Sequence, residues 1–138
     1  MTDPFDLERF VAAQDPVWPR VTAELTAGRK QSHWMWFVFP QIAGFGRSPT
    51  AVRYALPSLA AAQAYLKHDK LSGRLDEATR LVLRHKIKKP EDILGGIDAM
   101  KFRSSMTLFE AAGGLPLFAD VIDIFYGGKR DTETLERI

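Results

Sequence analysis

Cysteine is absent from the 138 residues. Disulfides, thiolate nucleophiles and cysteine-ligated zinc are therefore excluded together. Histidine is scarce: His33, His68 and His85 stand far apart, with no HxH or HxxxH pair to begin a metal site. Long apolar runs are missing too. The longest, residues 34–39, cannot span a bilayer, so no membrane partner is expected. The amino terminus, Met1-Thr2-Asp3-Pro4-Phe5-Asp6, is acidic where a secretory signal is basic, which makes a cytoplasmic protein the expectation. There is no GxSxG elbow, Walker A loop or GxGxxG fingerprint, and no carboxylate pair announces glycosidase chemistry. No cofactor is implied.

What is present is ordinary in amount. The chain is 46% hydrophobic and 26% charged, which suits one packed domain over residues 1–138 and excludes a disordered chain. Nineteen basic against seventeen acidic residues leave a net charge of +2, too little for dedicated nucleic-acid binding.

The pattern along the chain is helical. Asp3-Pro4 reads as an N-cap followed by a first-turn proline, opening a helix that ends at Asp15-Pro16. A second helix over residues 19–27 stops at Gly28. Residues 29–49 resist assignment, because short apolar runs suit a strand or a buried helix equally. Ser48-Pro49 opens residues 50–56, and Ser58 heads the alanine-rich residues 59–68. Leu71, Leu75, Ala78, Val82 and His85 form a helical stripe, and Pro90 opens a turn. Residues 98–112 and 115–126 read as amphipathic helices, and Asp131 caps a last short one. The predicted fold is all-α: a compact single-domain orthogonal bundle of about six to eight short helices.

Three polar positions interrupt apolar faces. Gln14 must bond a neighbouring backbone or reach a ligand, and His85 reads as a partnered core or rim residue. Asp98 and Ser105 share the Phe102/Met106/Phe109 side of their helix, with Lys101 at its edge. Either Asp98 is an N-cap and Ser105 a small packing residue, or Asp98, Lys101 and Ser105 form a notch that meets a ligand.

Charge is distributed unevenly. Between Glu24 and Asp69 there is no acid, while Arg29, Lys30, Arg47, Arg53 and Lys67 give that stretch a charge of +5. Trp34, Trp36, Phe37, Phe39, Phe45, Tyr54 and Tyr65 lie in the same stretch. Cations interleaved with aromatics suit an anionic ligand bearing a flat ring, such as a nucleotide. Gly44-Phe45-Gly46-Arg47-Ser48-Pro49 precedes a helix start, where unpaired N–H groups can hold an anion, although an ordinary capped turn reads the same.

The same residues carry a family resemblance. Phe5-Asp6-Leu7-Glu8-Arg9-Phe10-Val11 with Ala13-Gln14 is one motif, and Gly28-Arg29-Lys30-Gln31-Ser32-His33-Trp34-Met35-Trp36-Phe37 with Phe39-Pro40-Gln41 is a second. Gly44, Gly46-Arg47-Ser48, Tyr54, Ala64-Tyr65-Leu66, Asp98 with Lys101, residues 104–109, and Gly128 with Asp131, Thr134 and Leu135 complete the set. Over nearly its full length the chain resembles a family of short bacterial and fungal proteins of unknown function (the DUF1810 type), often labelled "calpastatin". The resemblance implies a small all-helical fold and brings no established activity. Calpastatin proper is a disordered protease inhibitor, a state that this hydrophobic, aromatic-rich chain cannot share. Residues 106–109 and 128–136 are also similar to the carboxy-terminal helices of NADAR-type N-glycosidases, a likeness that assigns no catalytic residue.

The leading expectation is a protein that binds, or hydrolyses, a nucleotide-like or otherwise phosphorylated small ligand. Arg29, Lys30, Arg47 and Lys101 would supply charge, Ser48 would hold phosphate, and Trp34 or Trp36 would stack on the ring. Gln41, Gly44, Gly46 and Ser105 complete the candidate ligand-binding set. His33 and Asp98 are the candidate acid–base groups. The rival is a non-enzymatic module whose aromatics dock a protein partner, and a third reading makes the aromatic motif core alone. A concave pocket favours the ligand, a flat exposed patch the partner.

Overall fold

In a computed structural model, which describes residues 3–138, the chain folds into ten helices. They are α1 (Glu8–Gln14), α2 (Trp18–Ala27), α3 (Met35–Val38), α4 (Pro49–Arg53), α5 (Leu59–Lys67), α6 (Asp69–Leu83), α7 (Pro90–Leu94), α8 (Gly96–Ala111), α9 (Pro116–Tyr126) and α10 (Thr132–Glu136). Among the described residues there is no strand, only a lone parallel bridge between Ile42 and Leu56. Met1 and Thr2, the first residues of the acidic amino terminus, lie outside the described residues.

The all-α expectation holds, and the helix count exceeds it for a local reason. One extra helix, α3, is a single turn inside the unassigned residues 29–49, and the other, α7, is the segment read as a turn after Pro90. Four or five residues leave no room for a 3.6-residue pattern to declare itself.

The start of α1 also shifts. Asp3 does accept hydrogen bonds from backbone N–H groups, those of Leu7 (2.8 Å) and Glu8 (3.0 Å). It does so across a turn in which Asp6 adopts φ 49°, so the helix begins at Glu8 rather than at Pro4.

Helix α8 organises the molecule, packing against α5, α7, α9 and α10. Its residues Ser104, Ser105, Met106, Thr107, Leu108 and Phe109 are all buried. Six consecutive buried positions mean a helix enclosed on every side, not the amphipathic one expected. Two of its small polar residues are satisfied there: Thr107 donates to the Arg103 carbonyl one turn back (2.8 Å) and Ser104 to the Asp131 carboxylate across the fold (2.8 Å). Aromatic rings surround α8. Phe102 meets Phe39 edge-on at 4.8 Å, and Phe109 contacts Tyr65 at 5.3 Å and Phe118 at 5.9 Å. Such pairs add about 0.5–1.5 kcal/mol each beyond their area burial.

Gln14 and His85 turn out to be structural. The Gln14 amide donates to the Phe37 carbonyl (2.7 Å) and to the buried Tyr65 hydroxyl (3.2 Å), tying α1 to α3 and α5. The His85 Nε2 lies 2.9 Å from the Leu25 carbonyl, at the end of α2. Gly28, at φ 77°, closes α2 directly against that ring. A Cβ there would stand 2.8 Å from His85 Nδ1. Gly28→Ala therefore combines left-handed strain with a steric clash. We expect a loss of about 1–2 kcal/mol in urea denaturation, with an unchanged m-value.

Candidate functional site

The loop between α2 and α3 carries Lys30 and His33, and a single carboxylate shapes it. Glu24 accepts hydrogen bonds from the Gln31 N–H (2.8 Å), the Ser32 N–H (3.1 Å), the Ser32 hydroxyl (2.5 Å) and the Trp34 indole N–H (2.9 Å). Partial burial pushes the Glu24 carboxyl upward, but these four donors outweigh it and hold its pKa down to about 2. The Lys30 N–H donates to the Ile93 carbonyl of α7 (2.7 Å), which brings the loop beside the first turn of α8.

There Lys30 and Lys101 share one carboxylate. Lys30 Nζ lies 2.7 Å from Asp98 Oδ2, and Lys101 Nζ lies 3.1 Å from Asp98 Oδ1. The Lys30 side chain is 7% exposed, and its ammonium also donates to the Ser32 carbonyl (2.6 Å). Lys101 sits over the Trp36 ring, 4.2 Å from its centroid. Two ammonium groups against one carboxylate leave an excess of one positive charge on the floor of a cleft of about 280 Å³. The exposed His33, Ser48 and Thr50 lie at its rim, and Met35 and Phe37 also line it. An anion entering meets N–H donors held in place before it arrives.

A second cleft of about 580 Å³ adjoins the first, with Trp36 and Lys101 as walls common to both. Its other lining residues are Gln41, Phe45, Gly46, Ile97 and Met100, with the polar Arg103, Ser104, Asp131, Thr132 and Glu133. Gln41 is 3% exposed, and its amide nitrogen is buried without a hydrogen-bond partner. Gly46 is held to glycine by contact: a Cβ there would meet the Trp36 ring at 2.8 Å and Ala51 at 2.9 Å. A larger groove, about 760 Å³ between α5, α6 and the Gly113-Gly114 turn, holds none of the candidate residues.

The family model "Protein of unknown function (DUF1810)" matches residues 4–138. The chain belongs to this family. A crystal structure of the conserved hypothetical protein Rv1873 from Mycobacterium tuberculosis is 52% identical, covering 97% of this chain and 96% of that one, with a TM-score of 0.95. Among curated proteins none matches this chain significantly. The all-helical fold is thus that of a family without an assigned activity.

Several sequence-predicted residues of this family member converge, and others do not. Lys30, His33, Trp36, Ser48, Asp98 and Lys101 line the first cleft, and Gln41 and Gly46 the second. Asp98 is not an N-cap: α8 begins at Gly96, leaving the carboxylate for the two lysines.

Trp34 is a correction. It is 1% exposed, packed near Phe39 and bonded to Glu24, so neither ring face can receive a ligand. Ser105 is another, wholly buried in α8 with no partner and lining neither cleft. Arg29 and Arg47 are exposed and line neither cleft. Gly44, at φ 113°, makes room for the Arg137 guanidinium, which sits 5.3 Å from the Phe45 ring centroid. The loop before α4 is an ordinary cap: Ser48 accepts from the Ala51 N–H, and five residues align too few peptide dipoles for an anion site.

Glu24 and Thr50 were missed by sequence reasoning. Thr50 has no distinguishing signal. Glu24 has a faint one, as the last acid before a long stretch without any.

Proposed function

We propose that the protein binds a small phosphorylated or otherwise anionic ligand in the cleft between Lys30, Trp36, Asp98 and Lys101. One observation carries this reading: two partly buried lysines share a single carboxylate, and the leftover positive charge faces an open cavity. A purely structural ion pair would balance its charges, because uncompensated buried charge is costly. Trp36 supports the same reading, being half-buried in a concave site rather than displayed on a flat patch. The buried Trp34, Met35, Val38 and Phe39 belong to the core, so only part of the aromatic motif is left for a ligand. Both Asp98 oxygens are engaged by ammonium groups, which suits a positioning role. His33, exposed on the rim, is the group able to exchange a proton with a bound ligand should a reaction follow.

Isothermal titration with ribose 5-phosphate at low salt tests the proposal. Lys101→Met is expected to weaken binding about tenfold, one charge-assisted hydrogen bond's worth. Arg47→Ala is expected to stay within about twofold of wild type, because its exposed charge is largely screened. Equal affinities for wild type and Lys101→Met would refute the reading.

A further inference from the structure

The second cleft raises a question that its neighbour does not answer: why a buried amide is left unpaired there. A buried N–H group without a partner is destabilising, and folded proteins rarely keep one. Gln41 Nε2 is such a group. Its backbone has a structural task, since the Gln41 carbonyl accepts from the Leu56 N–H (2.9 Å) beside the lone bridge, but that task needs no particular side chain. Leucine or methionine would fill the same volume without an orphaned donor.

The surroundings of the amide point to its occupant. Trp36 and Phe45 supply aromatic surface, and Ile97 and Met100 stand 74% and 72% exposed at the mouth. Of the polar residues that also line the cleft, Arg103 donates to the Lys129 and Arg130 carbonyls, Ser104 donates to Asp131, and Thr132 and Glu133 are exposed. The Gln41 amide is left as the buried group without a partner beside the aromatic and aliphatic surface, a combination that suits a planar heteroaromatic ring. A glutamine amide has adjacent donor and acceptor ends, so it can pair with a ring edge offering a carbonyl beside an N–H. Lys101, common to both clefts, stands where the ring of such a ligand would join its anionic group.

We infer that the ligand is of the nucleoside monophosphate class, its lactam-bearing base in the second cleft against Gln41 and its phosphate at Lys30 and Lys101. This rests on the anion-site reading above and adds the identity and orientation of the other half of the ligand. Removing a donor from a site built to hydrogen-bond should erase discrimination while leaving the anion contacts intact.

The test compares inosine 5′-monophosphate with ribose 5-phosphate by isothermal titration, on wild type, Gln41→Leu and Gln41→Met. Wild type is expected to bind the nucleotide at least about tenfold more tightly than the sugar phosphate. Both variants should reduce that ratio to about threefold or less, with ribose 5-phosphate affinity unchanged. Their melting temperatures should equal or exceed that of wild type, since each removes an unpaired buried donor. If wild type binds the two compounds equally, or the variants keep the full preference, the inference is overturned while the anion site stands. If neither compound binds wild type, the anion site and the inference fail together.

Discussion

Glu24→Ala is expected to lower the melting temperature by about 10 °C and to disable the site that it never touches. The carboxylate collects four donors from Gln31, Ser32 and Trp34, and alanine leaves them without their partner. Loss of such a network costs about 3 kcal/mol, equivalent to several degrees per kcal/mol in a chain of this size. The pH dependence has a definite sign. The folded pKa of about 2 lies below the ordinary 4.5, so the carboxylate stabilises the fold above that ordinary value. Its contribution, on the order of 3 kcal/mol, is lost as pH falls from about 4.5 towards 2. Urea titrations at pH 7 and pH 3 check this: wild type should lose stability on acidification, and Glu24→Ala should lose markedly less. Equal losses would remove Glu24 as the anchor of the loop.

Asp98→Ala has the second large expected effect, and its sign differs between stability and binding. The substitution leaves two ammonium groups facing one another, one of them 7% exposed. Breaking a buried pair from one side typically costs about 3–5 kcal/mol; the partial exposure of Asp98 and Lys101 places this case near about 3. Lys30→Met with Asp98→Ala should recover about 2 kcal/mol of that loss, which a double-mutant cycle in urea would measure. Binding should move the other way. With its counter-charge gone, folded Asp98→Ala is expected to hold ribose 5-phosphate about fivefold to tenfold more tightly than wild type does, fading at high salt. Weaker binding in this variant would mean that Asp98 itself contacts the ligand.

How far the sequence reached depends on the length of each element. Helices α2, α5, α6 and α9 were legible because periodicity and stop signals agreed over nine or more residues, as with Gly28 after α2. Helices α3 and α7 were not, being one turn each. Asp98 with Lys101 was legible as a notch because a charge on an apolar face is conspicuous. Lys30 was legible only as a member of a basic stretch, since its meeting with Asp98 depends on the Ile93 contact across the fold. Trp34 misled because sequence cannot separate a tryptophan whose N–H finds a half-buried carboxylate from one that faces a cleft. Arg47 misled similarly: proximity to Ser48 along the chain did not put its side chain beside Lys101. The acid-free stretch itself is explained in part, for Lys30 acquires its counter-charge from α8 rather than from a neighbour in sequence.

A crystal structure of the protein soaked in ribose 5-phosphate at low ionic strength would show directly whether an anion sits between the two lysines. Phosphate density within hydrogen-bonding distance of Lys30 and Lys101, with the sugar beside Trp36, is the expected result. Phosphate bound instead at Arg47, or in the groove beside Gly113-Gly114, with the Lys30–Asp98–Lys101 cleft empty, would contradict it.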